Sequence, residues 1–278
     1  MAVDCISYAA AYSGGKLAEH EGLPPEINIL LSLGIGITAT KVAGKYLLKD
    51  SAGKILINVN ENTRTHSTVE QLTSDSIKTF IEKHGISVDD FSKLLDPDRT
   101  LNSDEINLVR QIRNEIGTPP KGTVMSKIIP QSDIYKYLYD HNYKSIRGFV
   151  SVDEHSKLLN GLDNVFEGNR LDYNGTNFKT DYGVNGVSQS TGAPDIVYGK
   201  ITYALNNPAS VKMPTELATE DNAPYTGRGF TGSKEIILPE YIQGKRKLVD
   251  GDTLTILEAK TGKVIQKFTF DEEHGWID

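Results

Sequence analysis

Hydrophobic positions change their period along the chain, and the changes predict its elements. In SDSIKTFIEKHG (74–85), Ile77, Phe80 and Ile81 recur at helical spacing behind a Ser-Asp-Ser start, and Gly85 marks the stop. SVDD (87–90) is a capping pattern ahead of Phe91, Leu94 and Leu95. Ser103, Asp104 and Glu105 open a third helix, whose Ile106, Val109, Ile112 and Ile116 share one face. Ser132 and Asp133 cap IYKYLYDH, and SVDE (151–154) caps a short helix through Leu159. Strand patterns occupy KILINV (54–59), KSIRGFVS (144–151), 170–173, 184–187, DIVYGKITYAL (195–205), 235–238, TLTILEA (253–259) and KVIQKFTF (263–270). Lys260, Thr261 and Gly262 join the last two as a tight hairpin, with Gly where a left-handed residue is needed. The expectation is an α+β fold: a helical N-terminal region, then a mixed, largely antiparallel sheet with a few short helices.

Two prolines between glycines, GTPPKG (117–122), cannot continue a helix and place the expected domain boundary between 118 and 119. The two sides differ in composition: residues 1–118 hold 3 of the 13 Tyr and 9 of the 25 Gly. The front therefore reads as a helical packing, delivery or adaptor region (1–118), and the loop-rich back (119–278) as the effector domain. INILLSLGIGITAT (27–40) is uncharged but shorter than the ~20 residues a membrane-spanning helix needs, which predicts a buried or interfacial helix. The first residues carry Asp4 and no basic segment ahead of an apolar one, so they do not read as a secretory signal peptide.

Charge and residue types narrow the chemistry. A net charge of −7 over 278 residues weighs against bulk electrostatic binding of nucleic acid, though it leaves a local basic groove open. The single cysteine, Cys5, rules out a disulfide framework and a cysteine zinc site, and the six histidines have no paired-ligand spacing, so no metal is expected. No nucleophile-elbow, Walker or dinucleotide fingerprint occurs.

Three segments carry candidate chemistry. In GNRLDYNG (168–175), alternation sends Arg170 and Asp172 to one face, where an arginine suits a bidentate grip on phosphate and Tyr173 can stack on a ring; a solvated edge is the alternative. In PYTGRGFTGS (224–233), Gly229 allows close backbone approach while Thr231 and Ser233 offer hydroxyl donors; a plain glycine turn is the alternative. In KEIILPEY (234–241), Glu235 or Glu240, or less adjacently Glu258, is placed to steady an oxocarbenium-like centre as a leaving group departs.

The order of these features, an Arg, then hydroxyls after Gly-Phe, then a Glu, resembles that of the ADP-ribosyltransferase toxins. GFTGS stands where that family has Ser-Thr-Ser, and Ser233 stands where its E-x-E or Q-x-E motif has an acid or amide. The resemblance implies NAD as substrate. Arg170 would lie on its pyrophosphate side, Thr231 and Ser233 would brace the pocket, and Glu240 or Glu235 would engage the nicotinamide ribose. Arg147, in IRGF, is the rival arginine. A wider set of segments is similar to the C-terminal ends of bacterial polymorphic toxins: KIIP (127–130), YL (137–138), GFVS (148–151), RLDYNGT (170–176), TGRGFT (226–231) and LPEY (238–241). That similarity spans about 120–245, with 23–48 like a pre-toxin region. It favours Arg170 over Arg147 and Glu240 among the carboxylates. It also implies delivery through the N-terminal region by a dedicated secretion system, action in the cytoplasm of a target cell, and a cognate immunity protein.

Two other readings stay open. A nuclease would grip phosphates with Arg228, Lys234, Lys245, Arg246 and Lys247 and use His274 or His141 as general acid or base. A non-enzymatic binding or structural component would use the Gly- and Tyr-rich loops as its contact surface.

Overall fold

The computed structural model describes four strands within residues 1–65 and, beyond them, residues 72–181, 193–214 and 227–278. The chain divides into two compact units, one ending at Thr65 and the other running from His66 to Asp278. In the first, β1 (Ile6–Ala9), β2 (Thr38–Val42), β3 (Lys45–Lys49) and β4 (Ile55–Asn58) form an antiparallel sheet in chain order. The strand expected at 54–59 is β4. Of the helix expected over 27–40, residues 38–40 lie in β2, and the remainder falls outside the described residues.

The second unit opens with the three helices predicted from periodicity: α1 (Asp75–Glu82), α2 (Val88–Leu95) and α3 (Ser103–Ile116). Ser87 caps α2 by accepting the Asp90 N–H. Helix α3 begins at Ser103 as expected, and its cap is Asn102, in a reciprocal box with Glu105 that satisfies otherwise orphaned amide groups. Ile77, Ile81, Phe91, Leu95, Val109 and Ile112 close over one another, and Phe230 and Ile237 from far along the chain complete that cluster. Phe91 and Phe230 meet edge to face, with ring centroids 5.4 Å apart. The position between 118 and 119 therefore lies inside this unit. The prolines end α3, but the core continues past them.

The sheet that follows has eight strands, ordered β12-β11-β10-β7-β5-β6-β9-β8, every neighbouring pair antiparallel. They are β5 (Val124–Ile129), β6 (Ser145–Val152), β7 (Val197–Ala204), β8 (Val211–Lys212), β9 (Tyr241–Lys247), β10 (Thr253–Glu258), β11 (Val264–Asp271) and β12 (Gly275–Ile277). With helices α4 (Gln131–Tyr139), α5 (Asp153–Ser156) and α6 (Leu162–Gly168), the unit is an α+β fold. A second core cluster, including Phe166, Phe178, Tyr198, Ile236 and Leu238, packs α6 beside the sheet.

Several local expectations give way to tertiary demands. Residues 170–173 are not a strand: α6 ends at Gly168, and Arg170 takes a left-handed conformation, φ 47°, that turns the chain out of the helix. Residues 235–238 are not a strand either. Ser233 Oγ accepts the amides of Glu235 and Ile236, and Ile236, Ile237 and Leu238 are all fully buried, split between the two clusters, so no alternation survives. Helix α4 starts at Gln131 behind Pro130 rather than at a Ser132 cap. Ser151 stays in β6, its hydroxyl directed to Ser126 rather than to the α5 terminus. The strand expected at 184–187 lies outside the described residues.

Candidate functional site

The sheet opens between β5 and β6. These strands pair only at Met125 with Val152 and Ser126 with Ser151; from there β5 continues along β7 while β6 continues along β9. Gly148, at φ +86°, and a register shift against β9 between Ile146 and Gly148 turn β6 away. The divergence leaves a cavity of about 260 Å³, walled by residues of both strands, by the chain leaving α6, and by Thr231, Pro239 and Glu240. Lys127 reaches across the gap, its Nζ 3.5 Å from the Phe149 carbonyl oxygen.

Glu240 is placed by a small hairpin-like return. Phe230 bridges Pro239, the Thr231 amide donates to Leu238 O, and the Glu240 amide donates to Gly229 O at 3.1 Å. Glu240 immediately precedes Tyr241, the register partner of Val150, so it enters the cavity beside β6. Glu240 is 9% exposed, and among the described residues its carboxyl has no hydrogen-bond or ion-pair partner. Burial without compensation penalises the anion and pushes its pKa up to about 8. Lys127 is shifted the opposite way for the same reason: burial lowers its pKa, Asp133 opposes that, and Arg147 adds a like-charge push downward. Burial thus disfavours the charged form of both groups in one cavity, a pattern associated with functional sites.

Four residues chosen from the sequence, Arg170, Tyr173, Thr231 and Glu240, line this cavity. Their geometry revises their roles. Arg170 donates from Nε and Nη2 to the two Asp172 carboxylate oxygens at 3.0 and 3.1 Å, and from Nη1 to Gly232 O at 2.9 Å. Rather than standing ready for phosphate, its guanidinium ties the 229–240 return to the end of α6. Thr231 Oγ1 donates to Gly168 O, and the Glu167 carboxylate accepts from the Lys234 amide, strengthening the same tie. Tyr173 stands at the mouth, 43% exposed, as does Phe149 on the β6 side at 46%.

Other expected residues do not join them. Ser233 is spent capping its own turn, and Glu235 lies outside the cavity wall. Gly229 approaches protein rather than ligand: a Cβ there would run into the Arg113 side chain. Glu258 accepts the Thr261 hydroxyl in the β10–β11 turn. Arg147 is exposed on β6, near enough to Lys127 to influence it, without lining the cavity.

The basic residues of the nuclease reading are dispersed and mostly engaged. Arg228 donates to the carbonyl oxygens of Leu94, Asp96 and Arg99 at the end of α2, and Lys234 pairs with Asp96. Arg246 grips Asp252 with both Nη atoms and stacks over the Tyr203 ring. Lys245 and Lys247 are exposed on β9, His141 is exposed after α4, and His274 bonds Asp271 in the β11–β12 turn. None of these residues lines the cavity.

Sequence reasoning missed Lys127 and the hydroxyl chain beside it, in which Ser126 bonds both Ser151 and Ser156 at 3.2 and 3.3 Å. The signal for Lys127 was present: it is the one charge inside the apolar strand VMSKII. Among the described residues no group of three or more His, Cys, Asp or Glu is gathered as a metal site requires, and no helix is long and apolar enough to cross a membrane. Compared with family models, curated proteins and solved structures, the chain matches none.

Proposed function

We propose that the β5–β6 cavity is the active site of an effector toxin that breaks the N-glycosidic bond of NAD, passing the ribosyl group to water or to an acceptor. The observation that carries this reading is the convergence on one cavity of Arg170, Tyr173, Thr231 and the buried, unpartnered Glu240. In the reaction, the bond between ribose C1′ and the pyridinium nitrogen breaks, and its electron pair leaves with neutral nicotinamide. The positive charge that develops on the sugar is stabilised by ionised Glu240. An acceptor oxygen or nitrogen then bonds to C1′ and gives up its proton.

A carboxyl with a pKa of about 8 is mostly protonated at neutral pH. Arrival of a permanent cation offsets the burial cost of its anion, so substrate binding itself favours the ionised form. Tyr173 supplies a ring face at the mouth, and Arg170 acts as a positioning residue that fixes the loop bearing Glu240. The similarity to polymorphic toxins supports the wider setting: release by a dedicated secretion system, action in a target cell and protection of the producer by an immunity protein.

Expression of residues 66–278 in bacteria tests the proposal, because this span includes the whole second unit. Intracellular NAD should collapse and growth should stop with the wild type, and neither should happen with Glu240→Gln. Growth arrest at undiminished NAD would overturn it.

A further inference from the structure

Two ionisable groups line the cavity without pairing: Glu240 on the β9 side and Lys127 on β5. Among the described residues neither has an ion-pair partner, and Lys127 Nζ has only the Phe149 carbonyl oxygen, at 3.5 Å, within reach. An acid and a base that share a cavity without pairing can be bridged by a ligand with one charge of each sign. Each end of such a ligand would neutralise the desolvation cost of the group it meets. Tyr173, 43% exposed, favours a planar cation, since ring faces attract positive charge. The cavity's 260 Å³ is also below the roughly 300–1,000 Å³ of sites that enclose drug-sized ligands, which suits one ring and a sugar phosphate better than a dinucleotide.

We infer that the cavity recognises a zwitterionic mononucleotide unit, with a planar heteroaromatic cation directed to Glu240 and a phosphate held by Lys127. The inference rests on the assignment of this cavity as the active site and names its recognition element. Lys127 takes the anion-binding part that Arg170, already committed to Asp172 and Gly232, does not fill. The adenosine half of a dinucleotide then lies outside the part of the cavity that confers affinity.

Calorimetric titration with carbocyclic analogues, which bind but cannot form an oxocarbenium-like sugar, tests this without turnover. The analogue of nicotinamide mononucleotide should bind wild type roughly ten-fold or more tighter than the analogue of nicotinamide riboside, the effect of about one charge-assisted hydrogen bond. Lys127→Met should abolish that advantage and leave riboside affinity within about two-fold, while Lys127→Arg keeps it. Glu240→Gln should weaken both cationic analogues but not their uncharged dihydropyridine forms. Equal binding of nucleotide and riboside by wild type would overturn the inference, as would parallel weakening of both by Lys127→Met. Failure of the NAD-cleaving assignment would look different: no nicotinamide released from NAD, with these binding differences intact.

Discussion

Replacing Glu240 by Gln should make the protein more stable while destroying its activity, and the gain should grow with pH. Gln has nearly the same shape and carries no charge to bury. A carboxyl titrating at about 8 when folded, against the ordinary 4.5, holds an extra proton in the folded state between those values. A folded state that binds more protons than the unfolded state loses stability as pH rises, by about 1.4 kcal/mol per pH unit across the window. From pH 5 to pH 9 the wild type should therefore lose about 4 kcal/mol that Glu240→Gln does not lose. For a unit of this size that corresponds to roughly 8–16 °C in Tm. Carboxylates stabilised in the folded state, such as Asp90 and Asp271, titrate alike in both proteins and cancel from the difference. Thermal unfolding followed by circular dichroism at pH 5, 7 and 9 reads the effect. A Tm difference that stays constant from pH 5 to 9 would mean that the Glu240 carboxyl titrates alike in the folded and unfolded states, so that burial does not penalise its anion.

Further expectations follow from the same geometry. If ionised Glu240 does the work, kcat/KM for NAD should rise with pH up to about 8 and then level off, and a profile falling over that range would assign the work to the protonated acid instead. Arg170→Ala removes the bonds to Asp172 and Gly232 and leaves a carboxylate only 12% exposed without its partner; denaturant unfolding should show a loss of about 2–4 kcal/mol, and Asp172→Asn in the same chain should recover part of it. Arg228→Ala strips donors from three carbonyl groups at the end of α2 and should cost about 1.5–3 kcal/mol in the same assay without changing retention on nucleic acid.

Local signals in the sequence located elements well where local forces decide them. The helices at 75–116 follow from periodicity and caps, and the hairpin at Gly262, φ +69°, from turn chemistry. What the sequence concealed was long-range. Arg170 looked like a residue of an alternating strand because the pattern RLDY is the same whether or not a strand forms; the end of α6 and the 62-residue reach to Gly232 decided otherwise. Ile236, Ile237 and Leu238 are buried on all sides because two cores meet there, a condition no local period encodes. The domain boundary failed to show for a related reason: prolines announce the end of a helix, whereas Phe230 closing over Phe91 is visible only once the chain is folded. At the site, Glu240, Tyr173, Thr231 and Arg170 were legible as residue types in order. The cleft itself arises from where β5 and β6 part, and that separation brought in Lys127.

The most direct test of the central claim is release of nicotinamide from NAD by the purified chain, assayed by chromatography with and without bacterial lysate as a source of acceptor. The wild type should release nicotinamide, and Glu240→Gln should do so at a rate lower by about 100-fold or more while being at least as thermally stable as the wild type. NAD left intact under both conditions, or equal release by the two proteins, would contradict the claim.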